Sequence, residues 1–200
     1  QVEANKLTAQ ATPYTDTITF TDTTNNVDLT RAVSLTINAP GQLSVTPSTN
    51  ISANIIESNA PTTISSQNYT LTNNGGSDLE WSVVKSSAWV KLSNTTSGTL
   101  TPGNFVVVNV AIDQVEANKL TAQAAPYTDT VTFTDVTNTI DVPRTISLNV
   151  FALPTVTISN ALGIPGSNVD VPIVINNVPP NYVSSITLSV DFDSTIIDIQ

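Results

Sequence analysis

QVEANKLTAQAAPYTDTVTFTDVTNTIDVPRTISLNVFA, residues 114–152, restates QVEANKLTAQATPYTDTITFTDTTNNVDLTRAVSLTINA, residues 1–39. The offset is 113 residues without a gap, and 27 of the 39 positions are identical. A repeat at that spacing is about one small domain long, so the two stretches read as equivalent pieces of consecutive domains.

The substitutions between the copies follow a rule. Ile18 becomes Val131, Val27 becomes Ile140, Leu29 becomes Val142, Val33 becomes Ile146 and Ile37 becomes Val150, while Phe20/Phe133 and Leu35/Leu148 are unchanged. Within each run these positions step by two, and alternate side chains on a strand face opposite sides. One face is therefore apolar and expected to be buried. The other face of the first run carries Thr17, Thr19 and Thr21, matched by Thr130, Thr132 and Thr134. Threonine's branched carbon suits a solvated pleat. The polar stretches 22–26 and 135–139 are turns, so each copy predicts a β-hairpin with one core face.

The leader QVEANKLTAQA is unchanged over 11 residues. It lacks period-two alternation and is rich in helix formers, which predicts a short helical turn. Glu3/Lys6 and Glu116/Lys119 are three apart and can pair weakly, and Leu7 and Leu120 would anchor the turn. The leader reads first as a packed crossover between strands. As the alternative, Gln1, Val2, Glu3, Lys6 and Leu7, with Gln114, Val115, Glu116, Lys119 and Leu120, would form an interface to a neighbouring domain or subunit.

The chain contains no Cys, Met or His. Disulfides, thiolate metal sites and histidine catalysis are excluded, though a domain this size can cohere by its core alone. There is no initiating Met, signal peptide or long apolar run, and residue 1 falls inside a repeat unit. The expectation is a stretch of a longer polypeptide or a processed subunit. Charged residues are 11% and the net charge is −10, which disfavours nucleic acid and anionic membranes as partners. The surface is instead rich in hydroxyls and amides, with 32 threonines in the chain, as in extracellular β-proteins. Sequons stand at Asn50, Asn68 and Asn94, as often as chance provides in so Asn- and Thr-rich a chain.

Between the copies, strands are expected at Leu43–Thr46, Ile51–Ile56, Tyr69–Thr72, Trp81–Val84, Trp89–Leu92 and Phe105–Ile112. Turns are expected at residues 73–78, Ser97-Gly98 and Pro102-Gly103. Seven or so short strands with turns between them predict an antiparallel sandwich.

LEWSVVKSSAWVKLSNTTSGTL, then FVVVNVAI, then LTAQAAPYTDTVTFTD, resembles the BACON-type immunoglobulin-like domain over roughly residues 66–150. Trp81, Trp89, Ser97-Gly98 and Tyr127 stand at that family's Trp-x-Val strand, second Trp, Ser-Gly turn and Tyr-led hairpin. The resemblance implies an immunoglobulin-like fold and, from the family's naming, carbohydrate binding with Trp81 and Trp89 as the candidates. Core or sandwich-end packing is the first reading of both.

Residues 153–200 do not align with residues 40 onward. Pro165-Gly166, the strand Val169-Asp170-Val171-Pro172-Ile173, and the segment from Ile186 through Asp191 to Ile197 resemble the opening of a cohesin-like domain. That resemblance covers about a third of such a domain and implies dockerin recruitment only if the rest is present.

Asp191, Asp193 and Asp198 read as turn and strand-end residues, with a calcium site as the alternative, since hard oxygens at close spacing suit that ion. No EF-hand loop, phosphate loop, nucleophile elbow or basic aromatic patch occurs. The chain is expected to be no enzyme and to need no other cofactor. A Lys–Asn cross-link involving Lys6, Lys85, Lys91 or Lys119 would require that lysine beside an Asn in an apolar core.

The sequence thus predicts an all-β chain of tandem immunoglobulin-like antiparallel sandwiches: a C-terminal hairpin part over 1–39, a complete sandwich over 40–152, and the first strands of a cohesin-like sandwich over 153–200. Short linkers at Ala39-Pro40 and Ala152-Leu153-Pro154 predict a rod. The expected function is an extracellular, cell-surface structural or adhesive module in a stalk or filament, as a homopolymer or as covalent tandem domains, with strands shared between subunits. A carbohydrate-binding module and a dockerin-recruiting scaffoldin are the alternatives.

Overall fold

The structure, a computed structural model, describes residues 6–57, 65–93, 95–164, 166–179 and 187. Its strands are β1 (Tyr14–Asp22), β2 (Val27–Leu35), β3 (Leu43–Thr46), β4 (Ile51–Ile56), β5 (Ser66–Asn73), β6 (Leu79–Val84), β7 (Val90–Leu92), β8 (Ser97–Leu100) and β9 (Phe105–Ile112). A short helix α1 (Gln114–Ala117) precedes β10 (Tyr127–Asp135) and β11 (Ile140–Phe151), followed by β12 (Thr155–Ile158) and β13 (Ile173–Asn176).

A five-stranded sheet in the order β4-β11-β10-β6-β8 and a four-stranded sheet in the order β3-β5-β9-β7 enclose one core. Alternation builds it. Along β6, Leu79, Trp81 and Val83 turn inward, and along β9, Val108, Val110 and Ile112 do. From the second repeat copy come Val131, Phe133, Ile146 and Leu148, all 0% exposed. The Phe133 and Tyr69 rings meet at 5.2 Å, tilted by 54°, the offset geometry that ring quadrupoles favour.

Two expectations are corrected. The sandwich is not wholly antiparallel, because β4 runs parallel to β11, from Ile51 opposite Ile146 to Ile56 opposite Phe151. The chain changes sheet between β3 and β4, so β4 meets a strand some 95 residues away rather than a hairpin neighbour. Ser97-Gly98 is not a turn either; it opens β8, with Gly98 opposite Trp81. A Cβ on Gly98 would lie 3.3 Å from the Trp81 indole nitrogen. The glycine marks the close approach of a large ring.

Asn73 joins the sandwich end. It is fully buried, its Oδ1 accepts from the Gln42 and Gly75 amides, and its Nδ2 donates to the Ser77 and Leu100 carbonyls. All four of its hydrogen-bonding capacities are used, which is the condition for burying an amide without penalty. The turn also packs on residues 39–42: a Cβ on Gly75 would stand 2.0 Å from the Pro40 carbonyl.

In the second copy the leader forms the expected helical turn. Asp113 caps it by accepting from the Val115 and Glu116 amides, Ala117 is buried, and Leu120 packs on the core. Lys119 pairs with Glu116 at 2.7 Å, an exposed contact of a few tenths of a kcal/mol.

Both repeat hairpins close through the same turn. Asp22 and Asp135 accept from the side chains and amides of Asn25 and Asn138 respectively. The last turn residue is left-handed in each: Asn26 at φ 56° and Thr139 at φ 58°. Asparagine tolerates that region, whereas a β-branched residue is strained there. Thr139→Asn, the residue of the other copy, is expected to stabilise the sandwich by about 0.5–1 kcal/mol. The thermal midpoint measures it, with a rise of a few degrees expected.

β12 and β13 form a separate antiparallel pair whose side chains are exposed except for the half-buried Ile175. The calcium candidates Asp191, Asp193 and Asp198 lie outside the described residues, as do Gln1, Val2 and Glu3 of the leader and the sequon Asn94. No cluster of three or more His, Cys, Asp or Glu suited to a metal occurs among the described residues.

Candidate docking surface

The second hairpin shows what its seat requires, and the first shows the same face without a seat. On β10 and β11 the inward row reads Asp129, Val131, Phe133, Asp135 and Val142, Arg144, Ile146, Leu148. On β1 and β2 it reads Asp16, Ile18, Phe20, Asp22 and Leu29, Arg31, Val33, Leu35, in identical register. Here Ile18 is 48% exposed, Phe20 60%, Val33 41% and Leu35 40%, against 0% for each counterpart. Val27 and Ile140, which alternation places on the buried face, are both exposed at the turn, at 51% and 54%.

Three charged residues sit within this apolar row: Asp135, the turn acceptor described above, and Asp129 and Arg144, which nothing in the sequence marked as buried. Asp129 is buried and accepts from the Ser86 amide, the Ser86 hydroxyl at 2.6 Å and the Ser87 amide at 2.8 Å. It also accepts from its neighbour Thr130 at 2.8 Å. Burial alone would raise its pKa, but the combined hydrogen bonds outweigh that and hold the carboxyl below the ordinary aspartate value. Arg144 donates to the carbonyls of Pro47, Val45 and its neighbour Pro143, and its guanidinium stands 5.8 Å from the Tyr69 ring centre. Tyr69 in turn donates to the Thr49 carbonyl. Burial pushes its phenol upward, against the pull of Arg144's charge.

In the first hairpin only the bonds internal to the hairpin remain. Thr17 donates to Asp16 at 2.7 Å, as Thr130 does to Asp129. Arg31 donates to the Thr30 carbonyl at 2.8 Å, as Arg144 does to Pro143 at 2.9 Å. The hydroxyl of Tyr14 reaches the Thr8 carbonyl and that of Tyr127 the Thr121 carbonyl, both at 3.0 Å. Counterparts of the bonds from Ser86, Ser87, Val45 and Pro47 are missing among the described contacts. The one signal that could have exposed these charges is their position: each falls in step with the apolar residues and is unchanged between copies.

Trp81 is 3% and Trp89 5% exposed, both inside the core cluster, so they offer no sugar platform. Lys6, Leu7, Gln114, Val115, Glu116, Lys119 and Leu120 line the leaders, with Val115 68% exposed and Ala117, not a candidate, taking the buried position. Lys6, Lys85, Lys91 and Lys119 are all exposed, which contradicts the Lys–Asn cross-link, since that chemistry needs a desolvated lysine. The intact mass is expected to equal that of the plain sequence; a deficit of one ammonia would reverse this.

Two sheets stacked over one core, with most neighbours antiparallel, define an immunoglobulin-like β-sandwich. Residues 154–200 match the Cohesin domain family, so this C-terminal segment is cohesin-like. Among solved structures, SSP-19, an MSP-domain protein like family member of Caenorhabditis elegans, aligns at 11% identity over 53% of this chain and 98% of its own, with a TM-score of 0.36. The FixG-related protein of Vibrio parahaemolyticus aligns at 13% identity over 55% of this chain and 95% of its own, at 0.35. PapD-like domain 7 of human CEP192 aligns at 12% over 56% and 86%, also at 0.35. No curated protein matches the sequence. Among the described residues no helix is long and apolar enough to cross a membrane.

Proposed function

We propose that this chain is a structural module of an extracellular or cell-surface protein, a segment of a stalk or filament of β-sandwiches, without enzymatic activity. The observation that carries the reading is the β1–β2 hairpin, which presents to solvent the apolar row that its copy buries. Completing the burial of Ile18, Phe20, Val33 and Leu35 would contribute roughly 1 kcal/mol each, and a lone hairpin is marginal in water. Such a face suits strand sharing between modules, whether subunits of a homopolymer or tandem domains of one chain. The BACON-type identity of residues 66–150 belongs to this proposal, with Trp81, Trp89 and Tyr127 as packing residues and with Gly98 departing from the family's turn.

Negative-stain microscopy of the native material, beside its denatured mass, tests the reading. Rods or filaments are expected. A denatured mass near 21.1 kDa would mean separate subunits, and a far larger one a covalent chain of sandwiches. Isolated globular particles would overturn the stalk.

A second reading, recruitment of dockerin-bearing partners, is favoured by the match of residues 154–200 to the Cohesin domain family. Co-elution with a purified dockerin domain tests it. The carbohydrate alternative would have to use residues other than the two enclosed tryptophans.

A further inference from the structure

We propose that β1–β2 is a second closing hairpin, and that its occupant is an immunoglobulin-like frame of the β3–β9 kind whose own closing hairpin is absent. This rests on the docking reading of the exposed face, though not on the stalk.

The frame formed by residues 43–112 defines the lock. It offers a paired donor at Ser86 and Ser87 for a carboxylate, and carbonyls of Val45 and Pro47 beside the Tyr69 ring for a guanidinium. It offers a dry slot for a phenyl ring against Tyr69. Its two free strand edges are filled by the hairpin: β6 pairs with β10, and β4 with β11. The first hairpin has the matching key. Asp16, Phe20 and Arg31 occupy the registers of Asp129, Phe133 and Arg144, and its outer edges pair with no other strand among the described residues.

The differences between the hairpins respect the seat. Val131 and Ile146 are diagonal neighbours across the β10–β11 ladder, and their counterparts are Ile18 and Val33. One methylene has moved across the diagonal and the pair's volume is unchanged, the kind of exchange a packed core tolerates.

Stoichiometry then selects the partner. Among the described residues there are two such hairpins and one frame, and the frame is filled by β10–β11. That hairpin is tethered to it by a short leader, so it holds the seat at high effective concentration. The fitting occupant is therefore a frame whose seat is vacant, whether it belongs to the same polypeptide or to another.

The test uses two full-length chains. The acceptor carries Phe133→Asp and Ile146→Asp, which disable its own closing hairpin, with Phe20→Asp, which disables its first. It is labelled with nitrogen-15 and co-refolded from denaturant with the unlabelled, unaltered chain. Acceptor alone is expected to give a collapsed spectrum. With the donor, a 1:1 complex and dispersed Trp81 and Trp89 indole signals are expected. A donor carrying Phe20→Asp should restore nothing, and Arg31→Met in the donor should weaken the complex at least about tenfold. No recovery with the unaltered donor, recovery undiminished by Phe20→Asp, or an acceptor that folds alone would each overturn the proposal. A milder acceptor, Phe20→Asp with Phe133→Ala, gives a second measurement: its melting midpoint should rise with donor concentration, and a flat midpoint would count against the proposal. Rescue beside globular particles in the micrographs would sink the stalk alone; filaments without rescue would sink the hairpin assignment alone.

Discussion

Phe133→Ala is expected to destabilise the sandwich by about 3–5 kcal/mol, whereas Phe20→Ala should shift the same transition by less than about 0.5 kcal/mol. The two phenylalanines have the same neighbours in sequence, the same strand position and the same cross-strand register, Phe20 opposite Leu29 and Phe133 opposite Val142. Propensity and local pairing therefore cancel in the comparison. What remains is burial: Phe133 is fully enclosed against Tyr69, and Phe20 is 60% exposed. Truncation at 133 removes the transfer free energy of the ring and leaves a cavity that the two sheets cannot close. Truncation at 20 removes a ring that solvent already touches. Trp81 and Trp89 both lie in the core cluster, so their emission during urea unfolding reports this sandwich. Equal losses at the two sites, read by these tryptophans, would mean that the first hairpin packs into the same core as Phe133, and would remove the basis of the docking surface.

This asymmetry marks how far the sequence could be read. Period-two alternation named Val131, Phe133, Ile146 and Leu148 correctly, because each needs only its own strand to declare which way it faces. It also placed Ile140 and the whole row of the first hairpin on a buried face, and these are exposed. Leu43–Thr46, Ile51–Ile56 and Phe105–Ile112 were legible with the bounds observed, since apolar runs of that length flanked by Pro, Gly or Asn have few other uses. Beyond the single strand, legibility fell away. Nothing in Ile51–Ile56 says that it will run parallel to a strand some 95 residues later, since pairing direction depends on where the chain crosses between sheets. Ser97-Gly98 carried a turn signal, and only the Trp81 ring above it explains why glycine stands in a strand. The charges were hidden for the same reason. Asp129 is satisfied by serines 42 and 43 residues away and Arg144 by carbonyls 97 and 99 residues away, so neither looks buriable until the fold is known.

Asp129 supplies the second large effect, and it depends on pH. Asp129→Asn keeps the shape but replaces an acceptor of four hydrogen bonds with an amide that must point a donor at one of them. Leaving the Ser86 and Ser87 amides poorly satisfied in a buried site is expected to cost about 2–4 kcal/mol at pH 7. The sign of the pH dependence follows from the direction of the shift. The folded carboxyl is held below its ordinary value, so the unfolded chain takes up the proton first. Its contribution is fully present above the unfolded pKa of about 3.9 and is lost as pH falls through the folded value. The melting midpoint of the unaltered chain should therefore drop below pH 4 more steeply than that of Asp129→Asn, and the gap between them should narrow from pH 7 to pH 3. Asp16→Asn should leave the midpoint at pH 7 unchanged, because Asp16 has the Thr17 amide and lacks the serine pair. A partner with a vacant frame would alter that. Once β1–β2 is seated, Asp16 acquires the role of Asp129, and the complex should weaken in the same acidic window in which the sandwich loses its own carboxylate. A gap between Asp129→Asn and the unaltered chain that stays constant down to pH 3 would show that the serine pair, and with it the lock assigned to Asp16, does not depend on charge.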